Sequence, residues 1–176
     1  MMLSEKCPRE NQIPYCGICW GMQIAVIEFA ENVMGLKDAH SGEFDEQCVH
    51  KVIDFMPGQN NEVDKGGTLR LGSYPCSIKG GTKMEKCYGE RLIHERHRHR
   101  YELNNQYREK LTAAGLVISG TSPDDRLVET IEIQEHPFFV GVQFHPEFKS
   151  RPNQSHPLFK GFISAALKRR CDIDKP

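Results

Sequence analysis

Gly17-Ile18-Cys19-Trp20-Gly21 joins a short apolar run, Ile13-Pro14-Tyr15-Cys16-Gly17-Ile18, to a longer one, Met22 to Leu36. The first run has the length and the early Pro of a buried strand. The second is apolar almost all round, as a buried helix is. Glycines two before and two after Cys19 remove side chains where a strand must turn sharply into a helix. The Gly-x-Ser-x-Gly elbow has the same geometry. A turn of this kind lifts its central side chain clear of the sheet and sets it near a helix N-terminus, whose positive dipole end favours a thiolate over a thiol.

Three readings of Cys19 are open on these residues. A cysteine among apolar residues is commonly core packing. Cys16-Gly-Ile-Cys19 has redox or metal spacing, yet residues three apart on a strand point to opposite faces, and no second C-x-x-C completes a zinc site. The third reading is a nucleophile. It draws on a distant segment, Val140-Gly-Val-Gln-Phe-His145-Pro-Glu147, a β-rich run ending in His-Pro-Glu. Pro146 biases His145 away from helix, and on an extended chain His145 and Glu147 project to one side. A thiol nucleophile needs a base, and the base needs an acceptor on its other nitrogen. Cys19, His145 and Glu147 supply those three roles.

Elsewhere the pattern is of mixed helices and strands, which predicts an α/β layer fold. Helix is expected over 102–114, stopped by Gly115, and over Leu158–Leu167. Strands are expected over 116–119, 127–133 and 138–144, the middle one alternating cleanly. Met1–Gln12 is polar, either a helix remnant or a frayed end. Gln59–Gly67 reads as a polar loop. Arg91, Arg96, Arg98 and Arg100 cluster with His94, His97 and His99. Interleaved Glu90, Glu95 and Glu102 and a net charge of −1 argue against a nucleic-acid patch and for a carboxylate or nucleotide clamp. His97-x-His99 is weak as a metal site, and none is expected. With 176 residues the chain can bury one core. No run is long enough to cross a bilayer and no secretory signal pattern is present, so no membrane association is expected. Seven scattered cysteines fit reduced thiols in the cytoplasm.

Gly-Ile-Cys19-x-Gly-Met-Gln23 followed by Gln143-Phe-His-Pro-Glu147 resembles the class I (triad) glutamine amidotransferases. Gly67-Thr-Leu-Arg-Leu-Gly72, Glu95-Arg-His-Arg-His-Arg-Tyr-Glu102 and Phe144-His-Pro-Glu-Phe-Lys-Ser-Arg-Pro152 are similar, more narrowly, to the C-terminal domain of the CTP synthase family. The resemblance implies a class I amidotransferase-like layered fold, a flavodoxin-like sheet flanked by helices. It implies that Cys19 attacks the side-chain amide of L-glutamine, with His145 and Glu147 completing a triad. Trp20, Gly21, Met22 and Gln23 would line the substrate, Glu43 would meet its α-amino group and Arg100 its α-carboxylate. The resemblance also implies that released ammonia serves a synthetase domain, in cis or in trans, which uses ATP and Mg²⁺ to aminate UTP to CTP. GTP would activate the glutamine step, with the 59–67 loop as a lid, and the family forms homotetramers. The chain itself is expected to need no cofactor.

Only 18 residues precede Cys19, and no Gly-x-x-x-x-Gly-Lys-Ser/Thr occurs. The synthetase domain, the family's first strands and its glycine-rich oxyanion loop are therefore expected to be missing. On that expectation residues 1–12 are a remnant, 13–168 a partial amidotransferase domain and 169–176 a tail. The chain alone would be at most a glutaminase, not a complete ligase. The alternatives are a non-catalytic or very weak fragment, or an amidotransferase of another class I type such as GMP synthetase. Trp20 and Cys16 stand where the family usually has other residues.

Overall fold

A computed structural model describes residues 3–55 and 70–173. Helix α1 (Leu3–Glu10) precedes strand β1 (Tyr15–Ile18) and helix α2 (Trp20–Asn32). Then come β2 (Ala39–Ser41), β3 (His50–Phe55), β4 (Arg70–Ile78), α3 (Lys83–Tyr88), β5 (Leu92–His99) and β6 (Tyr101–Leu103). The chain closes with α4 (Asn105–Ala113), β7 (Leu116–Thr121), β8 (Val128–Ile133), β9 (Phe139–Val142), a 3₁₀ turn (Pro146–Phe148) and α5 (Pro157–Ile173). The expected loop over Gln59–Gly67 lies outside the described residues.

Six strands form one sheet in the order β1-β9-β8-β7-β4-β5, and β2-β3-β6 form a second. The fold is mixed α/β with helices on the sheet's faces. Among the described residues, parallel pairing, the flavodoxin-like part, joins β1–β9 and β2–β3, and the other neighbours run antiparallel. Strand β9 shows how the core divides. Phe139 joins Met22, Val26 and Ile131 on the α2 face, while Val140 and Val142 join Met84 and Leu158 on the α3 and α5 face. Successive side chains point to opposite faces, so one strand feeds both. Gly141 sits below α2, where a Cβ would lie 3.1 Å from Met22 Cβ.

Several expectations are corrected. Helix α4 begins at Asn105, not 102, because Asn104 caps it, accepting from the Gln106 amide at 3.0 Å; Glu102 belongs to β6. The charged Arg91–Arg100 cluster is mostly strand β5. There Glu95, His97 and His99 turn inward and Arg96 and Arg98 outward. The polar face of β8 is buried as well, since Glu132 accepts the first-turn amides of α3 from Lys83 (2.9 Å) and Met84 (3.3 Å). Helix α5 continues through Ile173, past the expected end at Leu167 and across residue 168. The N-terminal segment is helical and pinned: Arg9 forms a fork on the buried Glu28 at 2.9 Å, and the Pro8 carbonyl lies 3.0 Å from His136 Nε2.

Candidate active site

The site lies at the carboxyl ends of β1 and β9, adjacent parallel strands in register Ile18↔Val142. Ligands in α/β sheets characteristically sit beyond the carboxyl ends of strands. Cys19 follows β1 directly. Its backbone adopts φ 51°, ψ −101°, a conformation that L-residues rarely hold and that costs about 1–3 kcal/mol. The surroundings enforce it. The Cys19 amide donates to Val142 O at 2.7 Å, and the Tyr15 hydroxyl donates to Gly21 O at 2.8 Å across the turn. Gly17 is required by close approach, since a Cβ there would lie 2.7 Å from the Gly21 backbone. Gly21 is under no such constraint, its nearest neighbour to a Cβ being 3.5 Å away.

Burial raises the Cys19 thiol pKa above its usual value, and the charges of Glu147 and Glu43 raise it further. The Trp20 backbone amide and the Gln143 side chain, both donating to the sulfur, act the other way. The helix N-terminus thus helps the thiolate as expected, but burial outweighs it and the resting group favours the thiol. Cys16 points to the other face, packs beside the α3/α5 core and is pushed up to about 12 by burial. Cys16 and Cys19 thus face different sides of the sheet, and on that geometry the redox-pair reading is set aside. Among the described residues no group of three or more His, Cys, Asp or Glu side chains is arranged to hold a metal ion.

Beyond β9 the chain is not extended to Glu147, as the sequence suggests, but enters the 3₁₀ turn at Pro146. That turn brings Glu147 Oε1 to 2.6 Å from His145 Nδ1. The His145 amide donates to Arg96 O at 2.8 Å, and Phe148 stacks on the imidazole at 5.1 Å. Lys149 anchors the turn's end on His94 O at 2.6 Å and on the Glu95 carboxylate at 3.2 Å. His145 Nε2 is buried and has no hydrogen-bond partner. The ring is thus held through one nitrogen and open at the other, the arrangement a general base requires.

The remaining expected residues divide. The Trp20 side chain is 46 % exposed, its indole N–H donating to Glu43 Oε2 at 3.3 Å and its ring edge against Phe44. Burial first, and then the charges of Glu43, Glu46 and Asp54, raise the Tyr101 phenol pKa, while Arg100 lowers it. The Met22 side chain is fully buried in the core, so a ligand at that position would meet its backbone. Gln23 is also interior, its amide donating to Tyr101 O at 2.8 Å and to Gln143 Oε1 at 3.1 Å. Gln143 itself, not singled out from the sequence, donates to Cys19 Sγ at 3.6 Å. A signal existed, because on an extended run Gln143 shares a face with His145.

Residues 3–165 match the family model for glutamine amidotransferase class-I, and the chain belongs to that family. It is 64 % identical over 160 residues to a CTP synthase of Carboxydothermus hydrogenoformans, covering 91 % of this chain and 30 % of that protein. A CTP synthase of Moorella thermoacetica is 60 % identical over 168 residues, 96 % of this chain and 31 % of the relative. The chain therefore spans about a third of the length of these relatives. Among solved structures, a CTPS glutaminase domain of Trypanosoma brucei with bound acivicin superposes with a TM-score of 0.89 at 40 % identity, over 95 % of this chain and 65 % of the other.

Proposed function

We propose that this chain hydrolyses L-glutamine to glutamate and ammonia, as the amidotransferase portion of a CTP synthase. The observation that carries the reading is the Cys19 elbow beside the His145–Glu147 pair at the ends of adjacent parallel strands. In the first step His145 Nε2 takes the thiol proton and the Cys19 sulfur attacks the side-chain amide carbon of glutamine. The C–N bond breaks and the imidazolium passes its proton to the departing nitrogen, which leaves as ammonia. Water, deprotonated by His145 Nε2, then attacks the γ-glutamyl thioester; the C–S bond breaks, glutamate leaves and the proton returns from His145 to the sulfur. Glu147 holds Nδ1–H and stabilises the imidazolium. The Trp20 backbone N–H, which meets the sulfur in the resting site, would serve the carbonyl oxygen as it becomes an oxyanion, a donor worth about 10²–10³ in rate. A thiol that rests protonated and ionises only as its proton moves to His145 suits this sequence.

Glu43 would receive the α-amino group and Arg100 the α-carboxylate, with Trp20 and the backbone of Gly21, Met22 and Gln23 along the substrate. An amino acid needs one anion and one cation at fixed spacing, and the guanidinium fork suits a carboxylate. The ammonia would serve amination of UTP with ATP and Mg²⁺ on a synthetase domain of the kind the relatives' name implies, with GTP as activator and a homotetramer as the assembled enzyme. Unpaired thiols at all seven cysteines support a cytoplasmic setting. Glutamate release by the purified chain, with and without GTP and against Cys19→Ala, tests the reading. We expect release that Cys19→Ala abolishes; equal rates from the two proteins would overturn it.

A further inference from the structure

The Cys19 sulfur receives a hydrogen bond from a side chain whose orientation is set two residues away. Gln143 Nε2 lies 3.6 Å from Cys19 Sγ, Gln143 Oε1 lies 3.1 Å from Gln23 Nε2, and Gln23 Nε2 lies 2.8 Å from the Tyr101 carbonyl. Both glutamines are buried, so water does not compete for these groups. The polarity of the line follows from its far end. A backbone carbonyl only accepts, so Gln23 must turn its NH₂ toward Tyr101. The second hydrogen of that NH₂ reaches Gln143, which must answer with its oxygen. The only group Gln143 has left for the sulfur is its NH₂. Turning either amide over would set two oxygens or two NH₂ groups face to face in a dry interior, where such an arrangement is costly. The network keeps this orientation although it leaves Gln23 Oε1 buried without a partner.

We propose that Gln143 is a positioning residue for the nucleophile, one end of an amide relay from the Tyr101 carbonyl through Gln23 that keeps a hydrogen-bond donor aimed at the Cys19 sulfur. A donor aimed at sulfur interacts more strongly with S⁻ than with S–H. The relay and the Trp20 amide thus oppose the burial and the two carboxylates that hold the thiol protonated. Its outer end is the residue after Arg100, so the segment expected to feel the substrate carboxylate also anchors the line to the sulfur.

The inference rests on Cys19 being the nucleophile, but its test does not require turnover. The rate at which iodoacetamide alkylates Cys19 is followed against pH by mass spectrometry of the Cys19 peptide, which separates it from the other six thiols. Gln143→Met keeps the volume and removes the donor; Gln23→Met leaves Gln143 in place and removes what orients it. We expect the midpoint of the Cys19 profile to rise by about one pH unit in Gln143→Met and by less in Gln23→Met. Glutamine turnover should fall about tenfold at neutral pH in Gln143→Met and recover as pH is raised. An unmoved midpoint with activity lost at every pH would reduce Gln143 to a structural role and overturn the proposal. If Gln143→Met does not fold, Gln23→Met decides alone, and an unchanged profile there overturns it. A profile that shifts in a chain unable to hydrolyse glutamine would support the relay while removing the hydrolytic reading.

Discussion

Two histidine–glutamate arrangements lie close together and behave oppositely. His145 and Glu147 meet at 2.6 Å, with side chains 18 % and 44 % exposed. Behind them His97 lies 3.7 Å from Glu129 and His99 3.5 Å from Glu102, all four buried around Arg70, and the two imidazoles face each other at 2.9 Å. Burial first, and then Arg70, drives His97 down to about 2 and His99 to about 3. Burial likewise lifts Glu102 to about 8 and Glu129 to about 7, although Arg70 opposes it. The buried set is thus held neutral or near neutrality, whereas the His145 and Glu147 side chains reach solvent in part. Burial, not residue identity, is what differs between the two sets.

The sharpest way to break this contrast is to delete one histidine from each set. His145→Ala should lower glutamine hydrolysis by about 10²–10⁴ with little change in unfolding midpoint. His97→Ala should instead cost about 3 kcal/mol of stability and leave turnover per folded molecule within a few-fold. Equal losses of activity would erase the distinction. Arg70→Met comes next. It removes the cation that favours the ionised forms of Glu102 and Glu129, so the loss in urea unfolding should be modest below about pH 6, where both carboxyls are neutral, and grow toward about 3–5 kcal/mol at alkaline pH, where they ionise unpaired. A smaller effect follows from Glu102 itself. Its folded pKa exceeds its unfolded one, so it favours folding below about pH 4.5 and that contribution is lost as pH rises through about 8. The buried histidines act below about pH 6.5 and in the opposite sense, so from there to pH 8 stability should fall as pH rises. Glu102→Gln should flatten that decline, measured as unfolding free energy against pH. Least of all, Trp20→Phe removes an exposed hydrogen bond to Glu43 and should raise KM for glutamine by about fivefold or less, leaving kcat alone.

Much of this was legible in the sequence where local pattern and packing agree. The β1–elbow–α2 unit, β7, β8 and β9 stand where apolar runs and turn residues predict them. The closeness of the Cys19 and His145 segments followed from the chemistry they would need together. What escaped was structure whose reason is distant. β5 reads as a charged cluster because Glu95, His97 and His99 face a polar interior that only the folded sheet creates. β6 hides in a helical pattern until Asn104 caps α4. The resting preference of Cys19 for its thiol depends on burial and on two carboxylates far along the chain, whereas a motif shows only the helix end.

The 2.8 Å bond from the His145 amide to Arg96 O has a mechanical implication. β1 and β5 are opposite margins of the six-stranded sheet, yet one mounts the sulfur and the other suspends the imidazole. The sheet must therefore curl far enough for its margins to share a site, and reactivity becomes a gauge of that curvature. On the proposed function, a change that straightened the sheet would draw His145 away from Cys19 and should slow glutamine hydrolysis without any ligand in the site.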